Sequence, residues 1–371
     1  MVNTNKTVTS NQNQKDLSQK ELEYYSRQIV LAELGYNSQL KLKNSKACVL
    51  GLGGLGSHAA TQLAAIGVGH LRIIDRDIVE ISNLHRQHLY GIDNIGYPKV
   101  EVAAERLLNL NPYIEIEPLP LYINEDNAEE IVEGMDVVID CLDRMAPRYA
   151  INRACVKLGV PYVFGAAIIT TGNVSTIIPG ETACLECFYG NLDDDELPTC
   201  GTVGVHPSLL PIIASIEVSE AVRILSGKQP RLANKLLHFD IEHLEVNEAS
   251  FQKVDQCSVC GSNPLDYSKP INRKLVEDIC GRSGKKVFVI ISRKNLQINM
   301  VELRQFLEKK GFKIKINASL GITFDKNTLV SVSILKSGVM IVEGFKEKQK
   351  ALNFFREILV DGLGFSEELI Y

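Results

Sequence analysis

Short apolar runs alternate with amphipathic segments through the first two thirds of the chain. Continuous apolar runs bounded by turn residues predict buried strands, and apolar residues spaced three or four positions apart predict helices that bury one face. The predicted strands are 46–50, 71–74, 114–118, 136–143, 162–167, 173–178 and 236–241. The predicted helices are 22–34, 57–66, 100–110, 148–158 and 209–225. This alternation predicts an α/β fold with a mostly parallel sheet and helices on both faces.

The last hundred residues follow a different pattern. The predicted strands here are 286–291, 312–316, 328–335 and 338–342, and the predicted helices are 300–310 and 346–359. We therefore expect a small α+β module over 275–371, joined by a linker at 263–274 to a main domain at 20–262. Residues 1–19 are polar, which predicts a disordered N-terminal lead.

The first predicted strand runs directly into a glycine-rich turn, Gly51-Leu52-Gly53-Gly54-Leu55-Gly56, that opens a helix. Such a turn presents backbone N–H groups and the positive helix end to an anion, and glycines allow a phosphate to approach. The next predicted strand ends in Asp75, at a spacing suited to a ribose hydroxyl. Strand, turn, helix, strand and acid in this order predict a Rossmann-like nucleotide site, but they do not separate NAD from ATP.

Composition narrows the class of protein. With 371 residues, 45% of them hydrophobic, the chain can bury a large core. A formal net charge of −5 gives no general basic field, so neither nucleic acid nor an anionic membrane is expected as a partner. No apolar run reaches the roughly 18 residues that span a bilayer, and the N-terminus has no signal-peptide core. We expect a cytoplasmic protein.

Charged residues follow the ends of predicted strands, where α/β sheets bind ligands. Arg86 and Lys99 lie in loop-like segments and are candidates to bind phosphate, although each alone also suits an ordinary surface position. Asp140 and Asp143 end another predicted strand. Mg²⁺ binds few protein carboxylates and keeps water and phosphate ligands, so these acids suit it. Asp140 alternatively anchors a loop or caps the following helix.

The nine cysteines suggest two kinds of chemistry. Cys184 with Cys187, and Cys257 with Cys260, form two CxxC pairs, which predict a closed, structural zinc site in preference to free thiols or a redox pair. Cys200 lies in a polar, acidic loop and is a candidate nucleophile because a thiolate needs access. Small core residues are the interpretation of Cys48, Cys141 and Cys155.

Together these features resemble the ubiquitin-activating-like adenylyltransferases of the ThiF/MoeB/HesA family, which include molybdopterin-synthase and sulfur-carrier adenylyltransferases. The resemblance covers about residues 22–260. Its motifs are Ser26-Arg27-Gln28-Ile29, the glycine turn, Asp75-Arg76-Asp77, Ser82-Asn83-Leu84-His85-Arg86-Gln87, Gly96-Tyr97-Pro98-Lys99, Asp140-Cys141-Leu142-Asp143, Pro198-Thr199-Cys200 and the two CxxC pairs. It implies that ATP and Mg²⁺ are used to adenylate the C-terminal Gly-Gly carboxylate of a small ubiquitin-like or sulfur-carrier protein, with release of pyrophosphate.

The resemblance also implies residue roles. Gly54 would lie against the phosphates, Asp75 would bind the ribose, and Asp143 would coordinate Mg²⁺. The implied nucleotide-binding set is Gly51, Gly53, Gly54, Gly56, Asp75, Asp77, Asn83, Arg86, Lys99 and Asp143. Arg27 would reach the ATP site of the partner subunit in a homodimer. Cys200 matches a loop cysteine that forms a thioester or persulfide in some members, with a cysteine desulfurase or rhodanese as a possible sulfur donor.

Two departures from the family pattern stand out. Arg144 follows Asp143 where members often have Asn, which adds a charge near the metal position. The chain does not end in Gly-Gly, so we expect the activating enzyme and not a fused carrier.

The segment Cys280-Gly281-Arg282-Ser283-Gly284 resembles a rhodanese loop only faintly, because it precedes the first predicted strand of its module. That module is expected to recruit the carrier or to be a packing appendage.

Two alternatives belong to other functional classes. An NAD-dependent oxidoreductase would need the glycines and Asp75, but hydride transfer requires neither the phosphate-binding cations nor two CxxC pairs. A catalytically inactive relative would bind a carrier without reacting. Retention of Arg86, Lys99 and Asp143 argues against that alternative.

Overall fold

The computed structural model describes residues 15–194, 197, 200–265, 275–280 and 286–370, without the side chains of residues 200, 201, 279 and 280. Most of the predicted N-terminal lead and linker therefore lies outside the described residues, as do Pro198, Thr199 and most of the rhodanese-like loop. The domain boundaries drawn from the sequence stay predictions.

Thirteen helices and fourteen strands are formed in the described part of the chain. The helices are α1 (Gln19–Tyr24), α2 (Ser26–Ile29), α3 (Gly35–Lys43), α4 (Gly54–Ile66), α5 (Lys99–Leu110), α6 (Ala128–Val132), α7 (Met145–Leu158), α8 (Leu185–Tyr189), α9 (Cys200–Val203), α10 (Leu209–Leu225), α11 (Met300–Lys309), α12 (Lys348–Arg356) and α13 (Glu367–Ile370). The strands are β1 (Lys46–Leu50), β2 (His70–Ile74), β3 (Glu115–Leu119), β4 (Val137–Asp140), β5 (Tyr162–Ile168), β6 (Thr171–Ile177), β7 (Lys235–Asp240), β8 (Glu245–Ser250), β9 (Val276–Cys280), β10 (Lys286–Ile290), β11 (Lys313–Asn317), β12 (Gly321–Asp325), β13 (Ser331–Leu335) and β14 (Met340–Glu343).

The predicted α/β sheet is confirmed as eight strands in the order β3-β2-β1-β4-β5-β6-β7-β8. The first five strands are parallel, and β6, β7 and β8 extend the sheet antiparallel. Successive residues of β1 enter opposite cores, since Val49 packs with residues of α4 and α10 and Leu50 with residues of α6 and α7. Helices on both faces therefore bury the central strands. Because these strands are parallel, their carboxyl ends lie at one edge of the sheet.

The C-terminal region forms the predicted α+β module, a six-stranded antiparallel sheet in the order β11-β12-β13-β14-β10-β9. One sheet face and the helices α11 and α12 share a core that includes Phe288, Phe324 and Phe354. Strands β9 and β12 are additions to the predicted pattern. Because β9 ends at Cys280, the expectation that the rhodanese-like segment precedes the first strand of the module is wrong. The predicted helix 346–359 ends its α-helical part at Arg356 and continues as a π-helical turn, Glu357–Gly362.

The predicted helix 22–34 is wrong as one element. The chain forms α1 and α2 instead, and Tyr25 between them is buried, with its hydroxyl accepting a hydrogen bond from Asn111 Nδ2 at 2.8 Å. Anchoring this side chain in the core interrupts the helical path. Helix α3 and strand β8 were not predicted. None of the helices in the described part of the chain has the length and apolar character needed to cross a membrane.

Candidate functional site

The glycine turn joins β1 to α4 and is held by close backbone contacts. Gly51 has a φ of +79°, a left-handed conformation that favours glycine, and its N–H donates to Ile74 O at 2.8 Å. A Cβ on Gly56 would lie 1.7 Å from Gly51 O, so only glycine fits there. The turn therefore places the N-terminus of α4, with its N–H groups that lack intrahelical partners, beside the end of β2.

Gly54 packs closely against α10. A Cβ on Gly54 would lie 2.5 Å from Leu210 Cδ1, so this face of the residue is turned to α10 and not to open space. Gly53 is the more open position, because a Cβ there would meet only Gln87 Nε2, at 3.7 Å. Contact between Gly54 and a phosphate would therefore use its backbone N–H.

Asp75 is a buried carboxylate at the end of β2. Its Oδ2 accepts from Leu52 N–H at 2.6 Å and its Oδ1 accepts from Asp77 N–H at 2.7 Å. Burial raises the pKa of Asp75, although the nearby Lys99 and the two N–H donors oppose that rise. Each carboxylate oxygen has a second acceptor position. The fixed side chain can thus accept hydrogen bonds from ribose hydroxyls.

Lys99 is a buried cation in the first turn of α5, only 4% exposed. Its Nζ lies 3.0 Å from Asp77 Oδ2. Burial by itself lowers the pKa of Lys99, but Asp77 and Asp75 offset this and leave the pKa above its ordinary value. The ammonium is therefore charged at neutral pH, and its position among acidic groups close to the glycine turn suits a polyphosphate.

The loop between β2 and α5 carries the other phosphate-binding candidates. Asn83 is buried, with Oδ1 accepting from Glu80 N–H at 3.4 Å. Arg86 is partly exposed, and its Nη1 donates to Ser82 O at 2.8 Å. That bond helps to orient the guanidinium.

Gln87 is a residue to which the sequence analysis assigned no separate role. It is 3% exposed, and its Oε1 has no hydrogen-bond partner among the described residues. Its amide lies beside Gly53. An unsatisfied buried acceptor next to the glycine turn is consistent with a site completed by a ligand or by water. In the sequence, only its place within the Ser82–Gln87 motif could have indicated a role for Gln87 in the site.

The two acids after β4 have different environments. Asp140 is fully buried, receives hydrogen bonds from Tyr162 OH and from Leu142 N–H, and lies 3.5 Å from Arg148 Nε. Burial raises its pKa, against the charge of Arg148. Asp143 is exposed in the loop that follows. Asp140 thus anchors the loop, the alternative considered for it, and Asp143 is the one available to a metal ion.

Arg148 is a second residue without an assigned role. It is 5% exposed and donates from Nη2 to Leu142 O and to Gly165 O. Its guanidinium carbon lies 4.7 Å from the centre of the Phe164 ring. These contacts hold the Leu142–Asp143 loop from below. A charged residue near the start of a predicted helix gave no specific signal for this role.

Four cysteine sulfurs converge where α8 meets the segment after β8. The Sγ atoms of Cys184, Cys187, Cys257 and Cys260 all lie within 4.8 Å of one another. Distances of 4.0, 3.6 and 3.4 Å separate the pairs 184–187, 184–257 and 187–260. Tetrahedral zinc with Zn–S bonds of about 2.3 Å requires sulfur separations of about 3.8 Å. The cluster is therefore compatible with a structural zinc ion that ties distant segments together.

The remaining candidate residues are Arg27, Cys200 and the three single cysteines of the core. Arg27 is exposed on α2. Cys200 begins α9, and its side chain is outside the described residues. Cys48 and Cys155 are fully buried in one core and Cys141 in the other.

The strand order explains why the nucleotide candidates meet. Strand β1 lies between β2 and β4, all parallel, so Gly51, Asp75 and the Asp140–Asp143 segment emerge at the same edge. A Cβ on Gly51 would lie 2.9 Å from Cys141 O, which shows how closely the glycine turn and the Asp140–Asp143 segment approach. The glycine turn, the buried carboxylate of Asp75, the Lys99 ammonium and the exposed carboxylate of Asp143 thus belong to segments that meet at one edge of the sheet.

Comparison with known proteins gives a consistent result. The model of the ThiF family matches residues 25–259. The SAMP-activating enzyme E1 of Haloferax volcanii is 35% identical over 257 residues, which cover 69% of this chain and 95% of that protein. The adenylyltransferase and sulfurtransferase MOCS3 of Drosophila grimshawi is 39% identical over 259 residues, 69% of this chain but only 58% of that protein.

Solved structures agree with the sequence matches. The crystal structure of Escherichia coli MccB with ATP has a TM-score of 0.55 and 25% identity to this chain. The match covers 60% of this chain and 69% of that one.

Proposed function

This chain belongs to the ThiF family, and we propose that it uses ATP to adenylate the C-terminal Gly-Gly carboxylate of a small ubiquitin-like sulfur-carrier protein, releasing pyrophosphate. The observation that carries the proposal is the crevice at the ends of β1, β2 and β4. There the helix N-terminus, Asp75, Lys99 and Asp143 supply one group for each part of a metal-bound nucleoside triphosphate.

The proposed reaction needs charge neutralisation more than proton transfer. A carboxylate is ionised at neutral pH, so it requires no general base to attack the α-phosphorus. The attack forms an acyl-phosphate bond and breaks the bond to the pyrophosphate leaving group. Both reactants are anions, so N–H groups of the turn and the cations Arg86 and Lys99 would lower the barrier by holding phosphate charge.

Mg²⁺ would bind at Asp143, with Asn83 and Lys99 helping to hold the triphosphate. When bound, the ion would neutralise phosphate charge and orient the leaving group. Asp143 suits this role because it is exposed while Asp140 is committed to Arg148 and Tyr162.

We also propose a homodimer in which Arg27 contributes to the partner's site. Support comes from the surface around this residue, where Val30 is 78% exposed and Leu31 is 54% exposed. Adjacent exposed apolar side chains are typical of a surface that another chain covers.

For the later sulfur chemistry we propose that Cys200 forms a covalent intermediate in one of two ways. Its thiolate would attack the carrier's acyl adenylate, forming a thioester and releasing AMP, or it would accept sulfane sulfur from the persulfide of a cysteine desulfurase or rhodanese, releasing the donor's thiol. The Drosophila relative is named as a sulfurtransferase as well as an adenylyltransferase. Four clustered cysteines suited to zinc fit a reducing compartment, which supports a cytoplasmic location.

ATP–pyrophosphate exchange tests the proposal. Purified protein is incubated with ATP, labelled pyrophosphate and each of several sulfur carriers that end in Gly-Gly. We expect exchange with at least one carrier and none with the same carrier blocked as a C-terminal amide. Absence of exchange with every carrier, together with tight NAD binding, would contradict the proposal in favour of an oxidoreductase.

A further inference from the structure

A buried carboxylate of the C-terminal sheet lies between two arginines of the nucleotide-site loops. Glu277 in β9 is 6% exposed. Its Oε2 lies 2.8 Å from Arg76 Nη1 and its Oε1 lies 3.1 Å from Arg144 Nη1. Tyr122 OH donates to the same Oε1 at 3.2 Å. A buried carboxylate with this many partners is strongly held in place.

Both arginines are sequence neighbours of candidate nucleotide-site acids. Arg76 follows Asp75 at the end of β2, and Arg144 follows Asp143 after β4. Strand β1 and its glycine turn lie between these two strands. Glu277 therefore links the loops on the two sides of the nucleotide crevice.

The C-terminal module is also attached to the segment that carries Lys99. Thr323 Oγ1 donates to Gly96 O at 2.7 Å. Glu101 in the first turn of α5 accepts from Ser319 N–H at 2.8 Å and from Leu320 N–H at 2.7 Å. The module thus contacts all three segments that supply candidate nucleotide ligands from β2, β4 and α5.

The charges around Glu277 show what its carboxylate does. Burial by itself lowers the pKa of Arg76, but nearby groups raise it above its ordinary value. The largest of these contributions comes from Glu277, and smaller ones come from Asp77, Tyr122 and Asp143. Asp143 is therefore within electrostatic range of that arginine. In the part of the chain that the structure describes, Asp143 makes no ion pair, whereas Glu277 pairs with both Arg76 and Arg144.

Loss of the Glu277 charge would leave Arg76 and Arg144 with one carboxylate fewer to balance their charge. Two acids are alternative partners for the arginines: Asp77, which lies 4.0 Å from Arg76 Nε, and Asp143, which precedes Arg144 in sequence and acts electrostatically on Arg76. An Asp143–Arg144 pair would compete directly with a divalent cation for the carboxylate.

We infer that Glu277 is a positioning residue that keeps Arg144 and Arg76 away from Asp143, so that the C-terminal module completes the Mg²⁺-ATP site of the adenylation domain. This inference rests on the proposed function, since it assigns Asp143 to the metal. It gives the module a role at the site itself, in addition to any contact it makes with a carrier.

The test measures ATP binding to the full-length protein by isothermal titration calorimetry across a range of Mg²⁺ concentrations, without a carrier. For Glu277→Gln we expect the Mg²⁺ concentration that gives half-maximal tightening of ATP binding to rise by about tenfold or more. Glu277→Asp keeps the charge and should stay within about threefold of wild type. In the double variant Glu277→Gln with Arg144→Gln, this Mg²⁺ concentration should return most of the way to the wild-type value, because the competing cation is gone.

Two further variants control for folding and for ion-pair loss in general. Asp325→Asn removes the partly exposed ion pair with Lys315, 2.7 Å long, within the same module and should leave Mg²⁺ dependence unchanged. Arg144→Gln alone should also leave it unchanged, and it keeps the inference testable if Glu277→Gln does not fold.

Each outcome decides between distinct explanations. If Arg144→Gln weakens Mg²⁺-dependent binding as much as Glu277→Gln does, or the double variant shows no recovery, the inferred role of Glu277 is wrong and the pair is only an anchor. Wild-type protein that binds ATP without any Mg²⁺ dependence would overturn the inference alone. Wild-type protein that does not bind ATP would overturn the proposed function as well.

Discussion

Gly56→Ala is the substitution whose effect follows most directly from the structure. The new Cβ would lie 1.7 Å from Gly51 O, whereas real Cβ contacts are not shorter than 3.0 Å. The helix N-terminus and the turn must therefore separate by about 1.3 Å, the difference between these two distances. Since the obstructing atom is a backbone oxygen, no side-chain rotation relieves the contact.

This separation has two measurable consequences. Overpacking against backbone should cost about 3 kcal/mol, the upper part of the usual range. For a domain of this size that corresponds to a fall in melting temperature of about 6–12 °C. Displacing the N–H groups of α4 by about 1 Å should also weaken ATP binding or turnover by about 100-fold at temperatures where the variant is folded.

Gly91→Ala is the matched control. Gly91 is extended, with φ −125° and ψ 176°, and its Cβ would meet only Asn94 Oδ1 at 3.7 Å and Arg106 Nη2 at 4.0 Å. This variant should melt within about 2 °C of wild type and bind ATP normally. Thermal unfolding and calorimetric ATP titration measure both variants. A Gly56→Ala protein that is destabilised but binds ATP like wild type would refute the assignment of the turn to the phosphates.

Four further predictions concern the metal sites and the steps of the reaction. Cys257→Ser should reduce bound zinc from one ion per chain to near zero and lower the melting temperature, because one of four clustered thiolates is lost. Asp143→Asn should reduce exchange at least about 100-fold without changing the melting temperature, since the side chain is exposed and acts on phosphate charge. Cys200→Ala should leave exchange unchanged and stop only a later sulfur-transfer step. Mixed Arg27→Ala and Asp143→Asn proteins, each inactive alone, should recover about a quarter of wild-type exchange, because half the dimers are mixed and each has one intact site.

The outcomes that contradict these predictions are equally specific. Unchanged zinc content in Cys257→Ser would remove this residue from the metal site. A melting temperature lowered by Asp143→Asn would mean that the acid is structural, and lost exchange in Cys200→Ala would mean the same for that cysteine. No recovery in the mixture would place Arg27 in its own subunit's site or outside any site.

The nucleotide half of the fold could be predicted because its elements have strong local patterns. The strand Lys46–Leu50 and the helix Leu209–Leu225 have the predicted bounds, since each is a continuous apolar segment with turn residues at its ends. Parallel strands bring their carboxyl ends to one edge, so Gly51, Asp75 and Asp143 could be placed together before any distance was known.

Elements that depend on a neighbour were not predictable. Every residue of β8 is exposed, so the strand has no apolar periodicity and exists because β7 pairs with it. Residues 22–34 have helical spacing, but burial of Tyr25 interrupts the helix. Hydrophobic periodicity alone cannot show where tertiary packing will interrupt a helix or add a strand.

The division of roles within the site also required the three-dimensional structure. Asp140 and Asp143 end the same predicted strand, and only the positions of Arg148 and Tyr162 make one an anchor and leave the other exposed. The contact of Glu277 with Arg76 and Arg144 joins distant parts of the chain, so no local spacing reports it. The ion pair with Glu277 also gives Arg144, the residue after Asp143, a structural partner.

The products formed from ATP and a purified Gly-Gly sulfur carrier provide the most direct measurement of the proposed reaction. Mass spectrometry of the carrier and separation of the nucleotide products distinguish adenylation from phosphorylation. We expect a carrier whose C-terminus carries AMP, with one pyrophosphate released for each adenylate formed. A carrier that stays unmodified while ATP is converted to ADP and orthophosphate would contradict attack at the α-phosphorus, and with it the proposed function.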